Sequence, residues 1–260
     1  MSPSWRDRVA VFVAAQALRL AVRPRGWGTR AVQRLAFELP VEAEAETVGH
    51  ELATVLAGAA RRGFDAHVVL SNHHVRYAVV ADAGLLAGAA EREAAATQAL
   101  RSVYGEATDG WQVVMDDGGA GVALVAGVPR PLLAALRNAC AAAGAGRVRV
   151  EPLFACAVNG VRNTIGDDAG WVGVLEGGRL VLASLDGDGI RAVRTQRILR
   201  APGEEVAAIL QRARLLDGEG SVRSTLVLAS EEPTEVVFAP DAGLQVRTVP
   251  LACTLVAEGA

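Results

Sequence analysis

The sequence predicts an α/β protein of two lobes, each a mixed sheet with flanking helices. Two observations predict it. Strand-like and helix-like segments follow one another in a set order, three strands and then helices and strands, and that order occurs twice. Between the two runs, Gly166, Asp167, Asp168 and Gly170 interrupt the periodic segments, which makes Thr164–Gly170 the candidate hinge. The expected first lobe is residues 1–165, with a small subdomain inserted around 41–120, and the expected second lobe is residues 166–260. A chain of 260 residues that is 51% hydrophobic has ample material for such a core.

The elements follow in order. Val9–Ala14, Ala17–Arg23 and Ala31–Leu39 read as strands, with Arg25-Gly26-Trp27-Gly28 as a turn, and Pro40 ends the third. Val41–Arg62 reads as a helix because Glu42, Glu44 and Glu46 crowd its first turns, where carboxylates suit the helix dipole. Ala66–Leu70 and Val75–Val80 are strand material around the polar insert Ser71-Asn72-His73-His74. Glu91–Tyr104 is a helix stopped by Gly105. Gln112–Met115 and Val122–Val128 form a hairpin across Asp116-Asp117-Gly118-Gly119. Pro129–Ala143 is a helix with proline in its first turn and Gly144 as its cap. Arg147–Val150 is a strand and Pro152–Asn163 a helix. The order then restarts with strands Trp171–Glu176, Arg179–Leu185 and Ile190–Ile198, helix Gly203–Leu216, and short strands Thr225–Ala229, Glu235–Phe238 and Gln245–Val249.

Composition removes several classes of function. Net charge is -3 and only 4% of residues are aromatic, so neither a basic footprint nor a base-stacking surface supports nucleic-acid binding. All 26 basic residues are arginine, which excludes a lysine Schiff base and any phosphate loop ending in Gly-Lys. Cys140, Cys156 and Cys253 lie far apart with no CxxC spacing, so neither a zinc nor a redox motif is present. The run Val9–Ala15 is flanked by Arg6 and Arg8 and soon followed by Arg19, and no stretch of about 18 apolar residues occurs. A cytoplasmic protein is expected.

The polar clusters read mostly as turns. His73-His74 would point to opposite faces of a strand and so could not bind one metal together; His50 and His67 are the only other histidines. Asp116-Asp117-Gly118-Gly119 is ordinary hairpin-turn chemistry. Asp186-Gly187-Asp188-Gly189 lacks the closing glutamate of a calcium loop. Ser71, Ser184 and Ser230 have no G-x-S-x-G context. No catalytic, cofactor-binding or metal residue is assigned.

The middle of the chain carries a resemblance. Gly121–Asn159 shows the step Val128-Pro129-Arg130, a helix closed by Ala143-Gly144, and a strand running into Glu151-Pro152-Leu153-Phe154-Ala155. Trp171–Ile198 then supplies three strands ending in an arginine-rich one, and Val68–Val80 adds a further match. These segments resemble the actin-like ATPase superfamily, and within it the PilM and GspL proteins of type IV pilus and type II secretion systems. The resemblance implies a two-lobed actin-like (RNase H-like) fold and a non-catalytic cytoplasmic scaffold at the inner face of the membrane. It implies a PilN-like inner-membrane partner, bound through its short cytoplasmic tail, and a link to the assembly ATPase. GspL-type chains continue into a membrane span, whereas this one reaches Ala260 without one, so the PilM arrangement is the expected one.

The departures concern nucleotide chemistry. ATP-binding relatives open their first two hairpins with Asp-x-Gly, whose carboxylate organises Mg²⁺ and whose glycine lets backbone N–H groups approach phosphate. Here the first hairpin has Phe12-Val13-Ala14-Ala15-Gln16, and the second has Gly173 without an aspartate in register. The adenosine-side Gly-Gly is replaced by Ala229-Ser230-Glu231. The rival reading is a catalytic actin-like ATPase or sugar-kinase-like enzyme, which Mg-ATP binding would reveal. The partner-binding candidates are Asn72, His73, Arg76 and Tyr77, on a strand pair around Ser71–Tyr77.

Overall fold

A computed structural model describes residues 6–24, 32–60, 63–116, 121–161, 169–186, 189–199, 201–217, 225–231, 234–236 and 245–251. The first sheet contains β1 (Arg8–Val13), β2 (Ala17–Arg23), β3 (Gln33–Glu38), β4 (Asp65–Leu70) and β8 (Arg147–Pro152), in the order β3-β2-β1-β4-β8. β1, β2 and β3 pair antiparallel, while β4 and β8 run parallel to β1. The second sheet contains β9 (Ala169–Glu176), β10 (Arg179–Asp186), β11 (Gly189–Arg197), β12 (Thr225–Ser230) and β13 (Gln245–Pro250), in the order β11-β10-β9-β12-β13. Its pairing directions are the same: an antiparallel meander followed by two parallel strands. The restart read from the sequence is thus a repeated topology.

Helices bury a stripe on each sheet. α1 (Ala45–Ala59) packs against α3 (Arg130–Ala142), and their buried residues recur at helical spacing, Val48, Leu52, Val55 and Leu56 against Leu132, Leu136 and Cys140. A Cβ on Gly49 would lie 2.9 Å from Ala135 Cβ and 3.2 Å from Ala135 O, so glycine sets the distance between these helices. α5 (Pro202–Asp217) covers one face of the second sheet through Val206, Ile209, Leu210 and Ala213. Trp171, Leu180 and Leu226 meet it there. The opposite face of that sheet, with Val174, Val181, Ala183 and Ala229, belongs to the same buried cluster as Val11, Phe12, Leu70 and Phe154 of the first half. The core is therefore continuous across the two sheets.

A third sheet, β5 (Arg76–Val80), β7 (Ala123–Pro129) and β6 (Trp111–Met115), is antiparallel and packs α2 (Ala89–Tyr104) on Ala96 and Leu100. β5 also lies along β11. The strands of this unit run from Arg76 to Pro129, later than the 41–120 of the sequence reading, because α1 packs on α3 beside the first sheet.

Several expectations are revised. The helix expected over Val41–Arg62 begins at Ala45, since Ala43 N bonds to Pro40 O in a turn that places Glu42 at φ 55. β4 and β5 do not pair: β4 lies in the first sheet and β5 pairs β7. Glu235 and Val236 have no strand pairing. Trp27, Asp117–Gly119, Thr164–Asp168, Gly187–Asp188, Phe238 and Cys253 lie outside the described residues. Among the described residues, no helix is long and apolar enough to cross a membrane.

Candidate functional site

The repeated topology brings four chain segments together at the carboxyl ends of the central parallel strands, where open α/β sheets bind ligands. In the first sheet, the β1–β2 turn is closed by Ala14 N bonding to Ala17 O, and β4 ends as Ser71 N bonds to Val13 O. In the second, Glu176 and Arg179 flank the β9–β10 turn, and Glu231 N bonds to Leu175 O at the end of β12. Ala14 and Ala17 therefore correspond to Glu176 and Arg179, and Ser71 corresponds to Glu231.

That register agrees with the strand limits read from the sequence, Trp171–Glu176 and Arg179–Leu185, and adds which side chains stand at the cleft. The carboxylate before the turn is Glu176, and the turn itself is Gly177-Gly178, with φ of 50 and 70. Two consecutive left-handed residues are the chemistry of a type I′ hairpin, which strongly favours glycine. Gly173 lies within the strand, where an added Cβ would come 2.9 Å from Leu228 Cδ1, so its role is close packing.

The two halves clasp each other across the cleft. Asn72 N donates to Glu176 Oε2 at 2.9 Å, and the Ser71 side chain also hydrogen-bonds this carboxylate. Reciprocally, Arg19 Nη1 of the first hairpin donates to Glu231 Oε1 at 3.1 Å. The polar insert lies between the hairpins. His73 Nε2 is 3.2 Å from Gly177 O and His74 Nε2 is 3.0 Å from Ala14 O. Burial is the main cause holding both imidazoles below their usual pKa, with Arg179 adding to it. Each ring is thus neutral near pH 7, and with a carbonyl as partner its Nε2 must carry the proton and donate.

Burial pushes the Glu176 carboxyl up, partly offset by its bonds from Ser71 and Asn72. Arg76 Nη1 donates to His73 O and Val75 O, both at 3.0 Å. Tyr77 OH donates to Asn72 Oδ1 at 2.9 Å, and its ring meets Phe154 edge-on at 5.4 Å.

The four sequence candidates are thus brought together, but not on one outer surface. Asn72 is 0% and Tyr77 3% exposed: the Tyr77 hydroxyl is spent on Asn72 Oδ1, the Asn72 backbone N–H on Glu176, and Asn72 Nδ2 is buried without a partner. His73 and Arg76 line the cleft, a cavity of about 750 Å³. Its walls also include Ala14, Gln16, Glu42 and Arg197. Sequence reasoning missed Ser71, His74, Glu176, Arg179 and Arg197 as cleft residues.

Away from the cleft, His67, Glu151 and Cys156 hold ligand atoms within 4.8 Å of one another. The His67–Glu151 contact is 2.8 Å, and Glu151 also pairs with Arg149 at 3.0 Å. The carboxylate is accordingly already occupied by two donors.

Two sheets of this order, facing each other across a cleft built by their first hairpins, define an actin-like ATPase fold. Solved structures with this fold match nearly the whole chain. The cytoplasmic domain of EpsL, an inner-membrane component of the type II secretion system of Vibrio cholerae, aligns with TM-score 0.59 and 15% identity over 96% of this chain and 93% of that one. The PilM-PilN type IV pilus biogenesis complex aligns with TM-score 0.56 and 15% identity over 94% and 91%. An actin-like protein of unknown function from Bacteroides thetaiotaomicron aligns with TM-score 0.62 and 8% identity over 95% and 91%. No family model and no curated protein matches the chain by sequence.

Proposed function

We propose that this chain is a non-catalytic scaffold of a type IV pilus or type II secretion assembly. It holds the cytoplasmic tail of an inner-membrane, PilN-like partner at the inner face of the membrane, within reach of the assembly ATPase. The two lobes at 1–165 and 166–260 form one platform for that contact. The observation that carries this reading is the cleft. Its architecture is that of a nucleotide site, but the first hairpin offers only Ala14-Ala15-Gln16-Ala17, and Glu231 is committed to Arg19 across the opening. A triphosphate there would meet methyl groups and carboxylates in place of an Asp-x-Gly and its metal. The likeness in fold to the EpsL domain and to PilM in complex with PilN supports the choice of machine.

Calorimetry tests both halves of the proposal. The cytoplasmic tails of membrane proteins encoded by flanking genes should bind, and Mg-ATP should show no affinity tighter than about 1 mM. A Mg-ATP dissociation constant near 1 μM would overturn the non-catalytic reading. Failure of every tail to bind would overturn the scaffold reading.

A further inference from the structure

The cleft contains more positive charge than its neighbours neutralise. Arg76 on β5, Arg179 on β10 and Arg197 on β11 all line it. Arg179 and Arg197 are directly paired across the two strands and so share a face. Neither forms an ion pair with a described residue, and Arg179 Nε is buried without any hydrogen-bond partner. Arg76 spends one nitrogen on backbone carbonyls and forms no ion pair with a described residue. Burial holds the Arg179 guanidinium below its usual pKa, the charges of Arg76 and Arg197 push it the same way, and the attraction of Glu176 offsets them only in part. Thr195, two residues from Arg197 on the same face of β11, buries its Oγ1 without a partner as well. A buried unpaired donor is costly, and like charges held together are a second cost. Both are relieved by an oxyanion.

The nearby carboxylates do not supply it. Glu231 is taken by Arg19, and Glu176 by Asn72 and Ser71. Their presence, with Glu42 on the same walls, disfavours a densely charged polyphosphate. A single carboxylate suits the planar guanidinium fork, and the alkyl surface of Ala14, Ala15, Ala17 and Val41 suits the apolar side chains of a peptide.

We infer that the interlobe cleft is a carboxylate-binding site for an acidic, extended segment of a protein partner, gripped through Arg76, Arg179 and Arg197. The inference rests on the scaffold reading only for the source of that segment. Fluorescence anisotropy with a labelled peptide of alternating Glu and Ala tests it directly, with the Gln and Ala counterpart as control. The Glu peptide should bind, more weakly as salt is raised, and the Gln peptide should not. Arg179→Gln and Arg197→Gln should each weaken binding about tenfold or more. Arg137→Gln, on the exposed side of α3, should leave it unchanged. Since Arg197 is exposed, its variant should keep the wild-type melting temperature, which separates lost binding from lost folding. Equal affinity across all variants would overturn the site. Displacement of the peptide by inorganic phosphate or Mg-ATP at matched concentration would overturn the choice of ligand. Capture of a partner tail that survives both arginine changes would overturn the inference and leave the scaffold reading standing. If no tail is captured, the peptide arm still decides the inference.

Discussion

Replacing Glu176 is the most direct probe of how the halves are joined. The residue is 3% exposed and accepts the Asn72 backbone N–H at 2.9 Å. Glu176→Ala removes the acceptor while Asn72 stays buried, and an orphaned buried donor costs about 1–3 kcal/mol. Glu176→Gln keeps an acceptor oxygen of the same reach and removes the charge. Because burial raises the folded-state pKa above that of the unfolded chain, the native state binds more protons between the two values. The wild type should therefore lose stability as pH rises through that window, and the penalty should be fully present above the folded pKa. Glu176→Gln carries no such term, so it should equal or exceed the wild type at pH 7, and the gap should close as pH falls toward the ordinary carboxylate range. Urea melts of the three proteins at several pH values measure this. A Gln variant as destabilised as the Ala variant at pH 7, with no pH dependence of the difference, would refute the reasoning.

Two further outcomes test the packing. Trp171 is 1% exposed at the start of β9 and packs toward α5, so Trp171→Ala should cost about 3–5 kcal/mol in a urea melt. Gly49→Val must force α1 away from Ala135, and a loss of about 1–3 kcal/mol in thermal unfolding is expected, whereas the exposed Gly58, with no atom within 4 Å of an added Cβ, should tolerate alanine without loss.

Much of the fold was legible because its strands carry strong local signals. β1, β2, β9 and β10 alternate or run apolar, and Pro40, Gly144 and Gly177-Gly178 punctuate them. The site was less legible. Ser71-Asn72-His73-His74 looks like a solvated turn when only its own composition is weighed, yet each of the four bonds to a hairpin or a neighbouring strand that sequence spacing does not specify. Asn72 meets Glu176 at a separation of 104 residues. The arginine cluster is hidden for a different reason. Arg76, Arg179 and Arg197 are three among 26, and nothing local distinguishes them from those on the surface. Only the approach of β5 to β11, which pairs with β10, makes them a group. Glu176 was passed over for another reason: the strand limits and the Gly177-Gly178 turn were legible, but nothing in the sequence tells that its carboxylate meets Asn72 across the cleft.

The clasp also dictates an order of events during synthesis. The first sheet needs β8, so it cannot close before residues 147–152 have left the ribosome. The Arg19–Glu231 contact spans 212 residues and must wait for nearly the entire chain. Long-range closure of this kind is slow, and domains of this size pass through intermediates. Completion of the cleft therefore depends on nearly the whole chain, and a truncated molecule would lack it.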